Sequence, residues 1–249
     1  MKNLITNNNY SNLKNLYKGN ECIIIACGPS LSSIDIDLLK SKIENKIVFC
    51  IKQSVLLFED VCDVHFNNFC NYQNYNLRSD IISCLVWWDD NQKIHKEAFK
   101  KADITLKVDP SKTISSLSTL LNDDGFEKLF KLNGNSDVLK GPGIMYEAVL
   151  PLACYMGFSQ IATFGWDIGN NQNCNQHFYN QNKEITKNIS YKAGCYVGET
   201  SLILNTIPKL TNLLLKRKID FKIISDINPI RNNEVFKNLT FEEWCKNEA

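Results

Sequence analysis

Much of what would identify a chain quickly is missing from these 249 residues. No Cys-x-x-Cys pair occurs and there are only three histidines, with neither His65 nor His95 accompanied by partners at metal-ligand spacing, so a zinc site is not expected. The 28 basic residues nearly cancel the 27 acidic ones. Bulk charge therefore gives no reason to expect a nucleic-acid surface. No run of eighteen apolar residues is present, which excludes a membrane-spanning helix from the sequence reading and leaves peripheral membrane association open. The three-glycine dinucleotide spacing is absent, and no Gly-Lys-Ser/Thr closes a Walker loop. Neither an internal repeat nor a linker rich in Pro, Gly or Ser divides the chain. The polar, Asn/Lys-rich opening has no secretory pattern, so the ten cysteines are expected as free thiols in a reducing cytoplasm, with Cys22, Cys50, Cys84 and Cys154 acting as small apolar side chains.

What is present is a regular alternation of apolar strands and helical patterns. Within Glu21 to Leu31 an unbroken apolar run ends in Gly28-Pro29-Ser30, a small-residue turn able to open a helix. Such a loop suits phosphate, because missing side chains admit the ligand to the backbone and a helix start presents free N–H groups. An ordinary strand-to-helix turn explains the same residues equally well. Asp35 and Asp37 offer caps before Leu38-Leu39, and Ile47 to Ile51 reads as a second strand, parallel to the first after a crossover of this length. Its exit, Lys52-Gln53-Ser54, then shares an edge with the Gly-Pro-Ser turn. Lys52 is placed to meet a phosphate there, or is a solvated loop charge.

Further along, 63–68 alternates as a half-buried strand with Asn67 near its end, its amide suited to a sugar or base. Ile81 to Trp88 and Ala102 to Val108 read as strands four and five, with a surface helix in 89–101. The stretch 109–139 has no clear period and is expected as a lid-like insertion or edge subdomain. Lys140-Gly141-Pro142-Gly143 is a second small-residue loop opening a helix that Gly157 ends, with Pro151 predicted to kink or restart it. Ser159 to Gly165 is a late strand with Trp166-Asp167 at its exit, where a carboxylate serves either the ligand or a turn. The polar, aromatic-tipped 169–200 is a functional or disordered loop. Ser201 to Lys218 is an amphipathic helix, Phe221 to Ser225 a last strand, and 229–249 a polar tail carrying a docking helix around Phe241 to Trp244. These elements predict an α/β chain: a single Rossmann-like, doubly wound, mostly parallel sheet over 21–228, with an N-terminal polar extension in 1–20 and a C-terminal tail in 229–249.

The combination resembles the bacterial sialyltransferases of glycosyltransferase family 42 and their relatives in the motility-associated-factor and 6-hydroxymethylpterin-pyrophosphokinase-like group, over about residues 21 to 225. Ala26-Cys27-Gly28-Pro29-Ser30-Leu31 is similar to the first nucleotide-binding motif, Lys52-Gln53 to the polar pair after the second strand, and Phe66-Asn67 to the third. Gly143 with its helix, and Gly165-Trp166-Asp167, look like the nucleotide-contact region; Cys195 to Glu199 looks like the segment carrying the catalytic base. Cys27 and Lys52 stand where that family usually has Asn, and Glu199 where it has His. The resemblance implies metal-independent transfer of a sugar, sialic acid or a related nonulosonate, from a CMP-activated donor to a glycan acceptor in bacterial cell-surface polysaccharide biosynthesis, with no cofactor, in the cytoplasm or at the inner face of the membrane. It implies Glu199 as the general base with His177 as its rival, and Lys52 with Tyr179 or Tyr196 at the departing phosphate. Glu199 has an equally good reading as a helix cap. Two other readings compete: an ATP- and Mg²⁺-dependent pyrophosphokinase-like transfer using Asp167 and Asp63, and a catalytically silent nucleotide-binding module. Homo-oligomerisation stays open.

Overall fold

The computed structural model describes residues 1–5, 10–68, 75–87, 96–109, 137–139, 143–167, 197–226 and 235–247. Among them, nine strands form one parallel sheet: β1 (Glu21–Ile25), β2 (Ile47–Ile51), β3 (Val64–Asn68), β4 (Ile82–Trp87), β5 (Ile104–Asp109), β6 (Asp137–Leu139), β7 (Gln160–Phe164), β8 (Asp220–Ile224) and β9 (Phe236–Leu239). Their order across the sheet is β6-β5-β4-β3-β2-β1-β7-β8-β9. The chain thus builds outward from β1 in one direction, returns, and builds outward from β7 in the other. This is the doubly wound arrangement expected, with its reversal point between β1 and β7, where Ile25 pairs with Phe164.

The strands are apolar on both faces because both are covered. On one face, α1 (Ile36–Ile43) and α2 (Val55–Phe58) bury Leu39, Ile43, Val55 and Phe58 against Ile23, Ile25, Val48 and Cys50. Asp35 caps α1, its carboxylate accepting the Leu38 N–H at 3.0 Å. The opposite face packs under α4 (Leu150–Met156) and α5 (Val197–Arg217), where Leu152, Met156, Leu210 and Leu214 meet Ile24, Phe49 and Phe66. The remaining described helices are α3 (Lys96–Lys101), after β4, and α6 (Phe241–Asn247) at the C-terminal end.

Pro151 does not break its helix in the middle. A π-helical turn, Met145–Val149, runs directly into α4, and the proline sits in the first turn of the α-helical part, where one helical geometry gives way to the other. Gly157, at φ +86°, closes the helix in the left-handed conformation. The helix α5 begins at Val197, four residues before the sequence pattern suggested, and puts Glu199 inside its first turn instead of at the cap.

Both ends of the chain belong to the sheet's core. Tyr10 and Leu13 are buried in it, and Tyr17 stacks on Phe158 with ring centroids 5.4 Å apart. The segment read as a tail supplies β9, paired with β8 from Phe221–Phe236 to Ile224–Leu239, and α6, whose Trp244 is fully buried against Phe164 at 5.0 Å between centroids. The described cysteines are free thiols; all but the half-buried Cys245 are buried. Among the described residues, no helix is long and apolar enough to cross a membrane. The lid expected in 109–139 lies outside the described residues except for Asp109 and β6.

Candidate functional site at the sheet reversal point

In a doubly wound sheet the loops leaving adjacent strands part company where the winding reverses, which opens a crevice beyond the strands' carboxyl ends. Here that crevice is bordered by the exits of β1 and β7, then β2 and β3. Four of the stretches singled out in the sequence, at Cys27–Ser30, Lys52-Gln53, Asn67 and Gly165–Asp167, all lie on this edge. Gly143 joins them, because its helix runs back to β7 and must start at the strands' carboxyl ends.

The β1 and β7 exits are locked together. Ala26 N–H donates to the Phe164 carbonyl at 2.8 Å and Gly28 N–H to the Gly165 carbonyl at 2.7 Å, extending the ladder past both strands. The Asp167 carboxylate accepts from Ser30 N–H at 2.7 Å through Oδ2 and from the Ser225 hydroxyl at 2.6 Å through Oδ1. One carboxylate thus ties the Gly-Pro-Ser turn to the loops after β7 and β8. Glycine is required at both crossings. A Cβ on Gly28 would sit 2.9 Å from Asp167 Cγ and closer still to its Oδ2, while Gly165, at φ +67°, would place one 2.9 Å from Leu31 Cγ. The first loop continues as a 3-10 turn over Pro29–Ser33, with the proline in its first turn.

The β2 exit is held differently. Lys52 adopts φ +51°, left-handed backbone that an L side chain rarely takes. The Ser54 hydroxyl accepts the Ile51 N–H at 2.9 Å and lies 2.8 Å from the Ile25 carbonyl, joining β1 to β2 at their ends. Cys27 is buried with its Sγ 3.0 Å from the Ile51 carbonyl and 3.8 Å from Gln53 Oε1. Burial pushes its thiol up to about 11, outweighing the opposing pull of the Lys52 charge, so this cysteine is no nucleophile at neutral pH. His65, on β3, is buried, and desolvation holds its imidazole down to about 4.

Side chains of three described residues on this edge carry buried polar atoms without any partner: Ser30 Oγ, both amide atoms of Asn67, and Asn68 Oδ1. Burying an unpaired amide costs about 1–3 kcal/mol, so a protein that retains one usually has another use for it. Asn67 and Asn68 project to opposite faces of β3, as the period of a strand requires.

The structure therefore brings Cys27, Gly28, Pro29, Ser30, Lys52, Gln53, Asn67, Gly165 and Asp167 to one edge. Trp166 is the exception in direction: its ring is turned into the core, 5.8 Å from Phe221 and 6.2 Å from Tyr146, leaving its backbone to the crevice. His177, Tyr179 and Tyr196 lie outside the described residues, and Glu199 is located by its backbone only. Asp63, the acid considered for metal binding, sits at the opposite edge of the sheet, its carboxylate accepting Val48 N–H at 2.8 Å. Among the described residues, no cluster of three or more His, Cys, Asp or Glu side chains is arranged to hold a metal. Sequence reasoning missed Ser225 and His65. Ser225 closes a strand without a motif, and His65 has the pattern of any histidine on an alternating strand.

No protein-family model matches the sequence, and no curated protein matches it either. Among solved structures, the MAf glycosyltransferase from Magnetospirillum magneticum AMB-1 superposes with a TM-score of 0.50 at 12% identity, over 99% of this chain and 40% of that one. The sialyltransferase CstII from Campylobacter jejuni gives 0.43 at 18% identity in its cytidine-5'-monophosphate complex, over 92% of this chain and 97% of that one. Its complex with CMP-3FNeuAc gives 0.45 at 17%, over 91% and 98%. The chain thus spans 40% of the length of the MAf glycosyltransferase and shares with it an open, parallel α/β fold.

Proposed function

We propose that the chain is a glycosyltransferase whose donor is a nucleotide-activated sugar, of the CMP-nonulosonate class, and whose acceptor is a glycan hydroxyl. The observation that carries this reading is the set of unpartnered buried groups, Ser30 Oγ and the Asn67 amide, standing with the Lys52 ammonium and two glycine turns on the reversal-point edge. Hydroxyl, amide and ammonium together suit a ligand with both a phosphate and a sugar or base. The donor class comes from the likeness of these loops to the sialyltransferase motifs.

In this reading the acceptor hydroxyl loses its proton to a general base as its oxygen bonds to the anomeric carbon. The bond from that carbon to the phosphate oxygen breaks, and its electron pair leaves on the nucleoside monophosphate. Lys52 and the Ser30 hydroxyl take up the leaving charge without a metal ion, since the N–H groups of Gly28 and Ser30 are already spent on Gly165 and Asp167. Glu199 is assigned as base, with His177 as its rival, and Tyr179 or Tyr196 is assigned to the leaving phosphate. Asp167 acts on the ligand through the loop it ties, since both its oxygens are engaged by Ser30 and Ser225.

A thermal-shift panel of CMP, CDP, UDP, GDP and ATP, each with and without Mg²⁺, tests the reading, because a ligand that binds only the native state raises the melting temperature. A shift with CMP that needs no metal is expected. A response to ATP that requires Mg²⁺, or none to any nucleotide, contradicts it. With CMP binding established, Glu199→Gln should keep binding and lose turnover of a CMP-sugar; full turnover removes Glu199 from the base role.

A further inference from the structure

We infer that His65 is a positioning residue of this site, holding Lys52 in its left-handed turn so that the ammonium is offered to the donor phosphate. The inference rests on the nucleotide-sugar reading above and extends it to a side chain that has no place in the chemistry itself.

The starting point is the strain. Among the described residues three non-glycine residues have positive φ: Asn15 at 56°, Lys52 at 51° and Lys218 at 57°. Asn15 tolerates that conformation through its short polar side chain, and Lys218 follows the end of α5, where a left-handed residue ordinarily closes a helix. Lys52 has neither excuse, and it is the one of the three on the carboxyl edge of the sheet. A long side chain held left-handed carries steric strain that glycine would avoid. Such strain persists only where neighbours impose it.

The imposing group is His65. Its Nε2 lies 2.9 Å from the Lys52 carbonyl, and since a carbonyl only accepts, Nε2 carries the proton. The imidazole comes from the neighbouring strand, where Cys50 pairs with His65, so the bond crosses from β3 to the residue just beyond β2. The ring has no freedom to swing away: it is buried, and Tyr75 meets it edge-on at 4.9 Å between centroids. The residue before Lys52 is fixed as well, through Ile51 N–H to Ser54 Oγ. With the backbone pinned on both sides, the direction of the Lys52 Cα–Cβ bond is set, which removes part of the ordering cost a lysine otherwise meets on binding an anion. The Lys52 charge acts on the Cys27 thiol in the first loop, which places the two exits within electrostatic reach of each other.

The test is a double-mutant cycle read by CMP titration on the full chain. His65→Leu is expected to weaken CMP binding about tenfold in the wild-type background and less than twofold in Lys52→Ala, because the histidine acts only through the lysine. His65→Gln, whose amide can still donate to the Lys52 carbonyl, should stay within about threefold of wild type. Should His65→Leu fail to fold, His65→Asn replaces it, its shorter amide falling short of the carbonyl. An equal loss in both backgrounds, or CMP binding unchanged in His65→Leu or His65→Asn, overturns the inference. A wild-type protein that does not bind CMP overturns the functional reading first and this inference with it, and the two failures are told apart by that wild-type titration.

Discussion

The two lips of the crevice solve opposite problems. Between β1 and β7 the loop groups are bonded to one another: Gly28 to Gly165, Ser30 N–H to Asp167, Asp167 to Ser225, with glycine wherever a side chain would intrude. Between β2 and β3 a lysine is held in strained backbone, and buried polar groups of Asn67 and Asn68 have no partner. Apart from Ser30 Oγ, which has no partner, folding satisfies the first lip; in the proposed reading it is the ligand that completes the second. A satisfied network is what scaffold needs, and strain beside unpaired polar groups is what supports the proposal that the second lip binds the ligand.

Breaking the finished lip should cost most. Gly28→Ala forces a methyl into Asp167 and the Gly165 carbonyl, and a loss of about 3 kcal/mol in urea unfolding is expected, the size of a severe overpacking; a loss under about 0.5 kcal/mol would show that the lip is slack.

The open lip carries a pH signature of similar size. Burial lowers the His65 imidazole from 6.5 to about 4, so below pH 6.5 the unfolded chain binds a proton that the native one refuses. Stability attributable to His65 is therefore complete above about pH 6.5, falls as pH drops, and levels off below about 4, a loss of about 3 kcal/mol across that interval. Urea unfolding of wild type and His65→Gln at pH 7 and pH 4 checks it: the variant should lack this part of the loss, and parallel losses would contradict a buried neutral His65.

Ser225→Ala is a smaller perturbation. Removing the hydroxyl on Asp167 Oδ1 takes away a charge-assisted bond, and a loss of about 1.5–3 kcal/mol in the same assay is expected, with CMP affinity falling because the first loop loses its anchor.

How much of this could be read beforehand follows from how local each feature is. The strands, the Gly-Pro-Ser turn and the gathering of Lys52, Asn67 and Gly165-Trp166-Asp167 on one edge were legible, because apolar runs and crossover lengths fix parallel order, and parallel order puts every exit on the same side. Asp167 was legible as a residue at the exit, but that its oxygens are taken by Ser30 and Ser225 depends on loops 137 and 58 positions away in sequence. The ninth strand hid in a polar stretch because an edge strand needs few apolar residues: only Phe236 of its four is buried. The π-helical turn that moves Pro151 to a helix start has no periodicity signal, since it spans a single turn. His65 was invisible as a positioning residue, because its role lies in one hydrogen bond to a backbone atom of another strand.

The smallest expected effect on stability gives the most direct test of the contrast between the lips. Asn67→Leu replaces a buried, unpartnered amide by an apolar group of similar size, so the melting temperature of the free protein should hold or rise, by about 1 kcal/mol of stability at most, while the shift induced by saturating CMP in the wild type disappears. A free protein that melts clearly lower, with its CMP-induced shift intact, would place Asn67 in the scaffold and contradict the account.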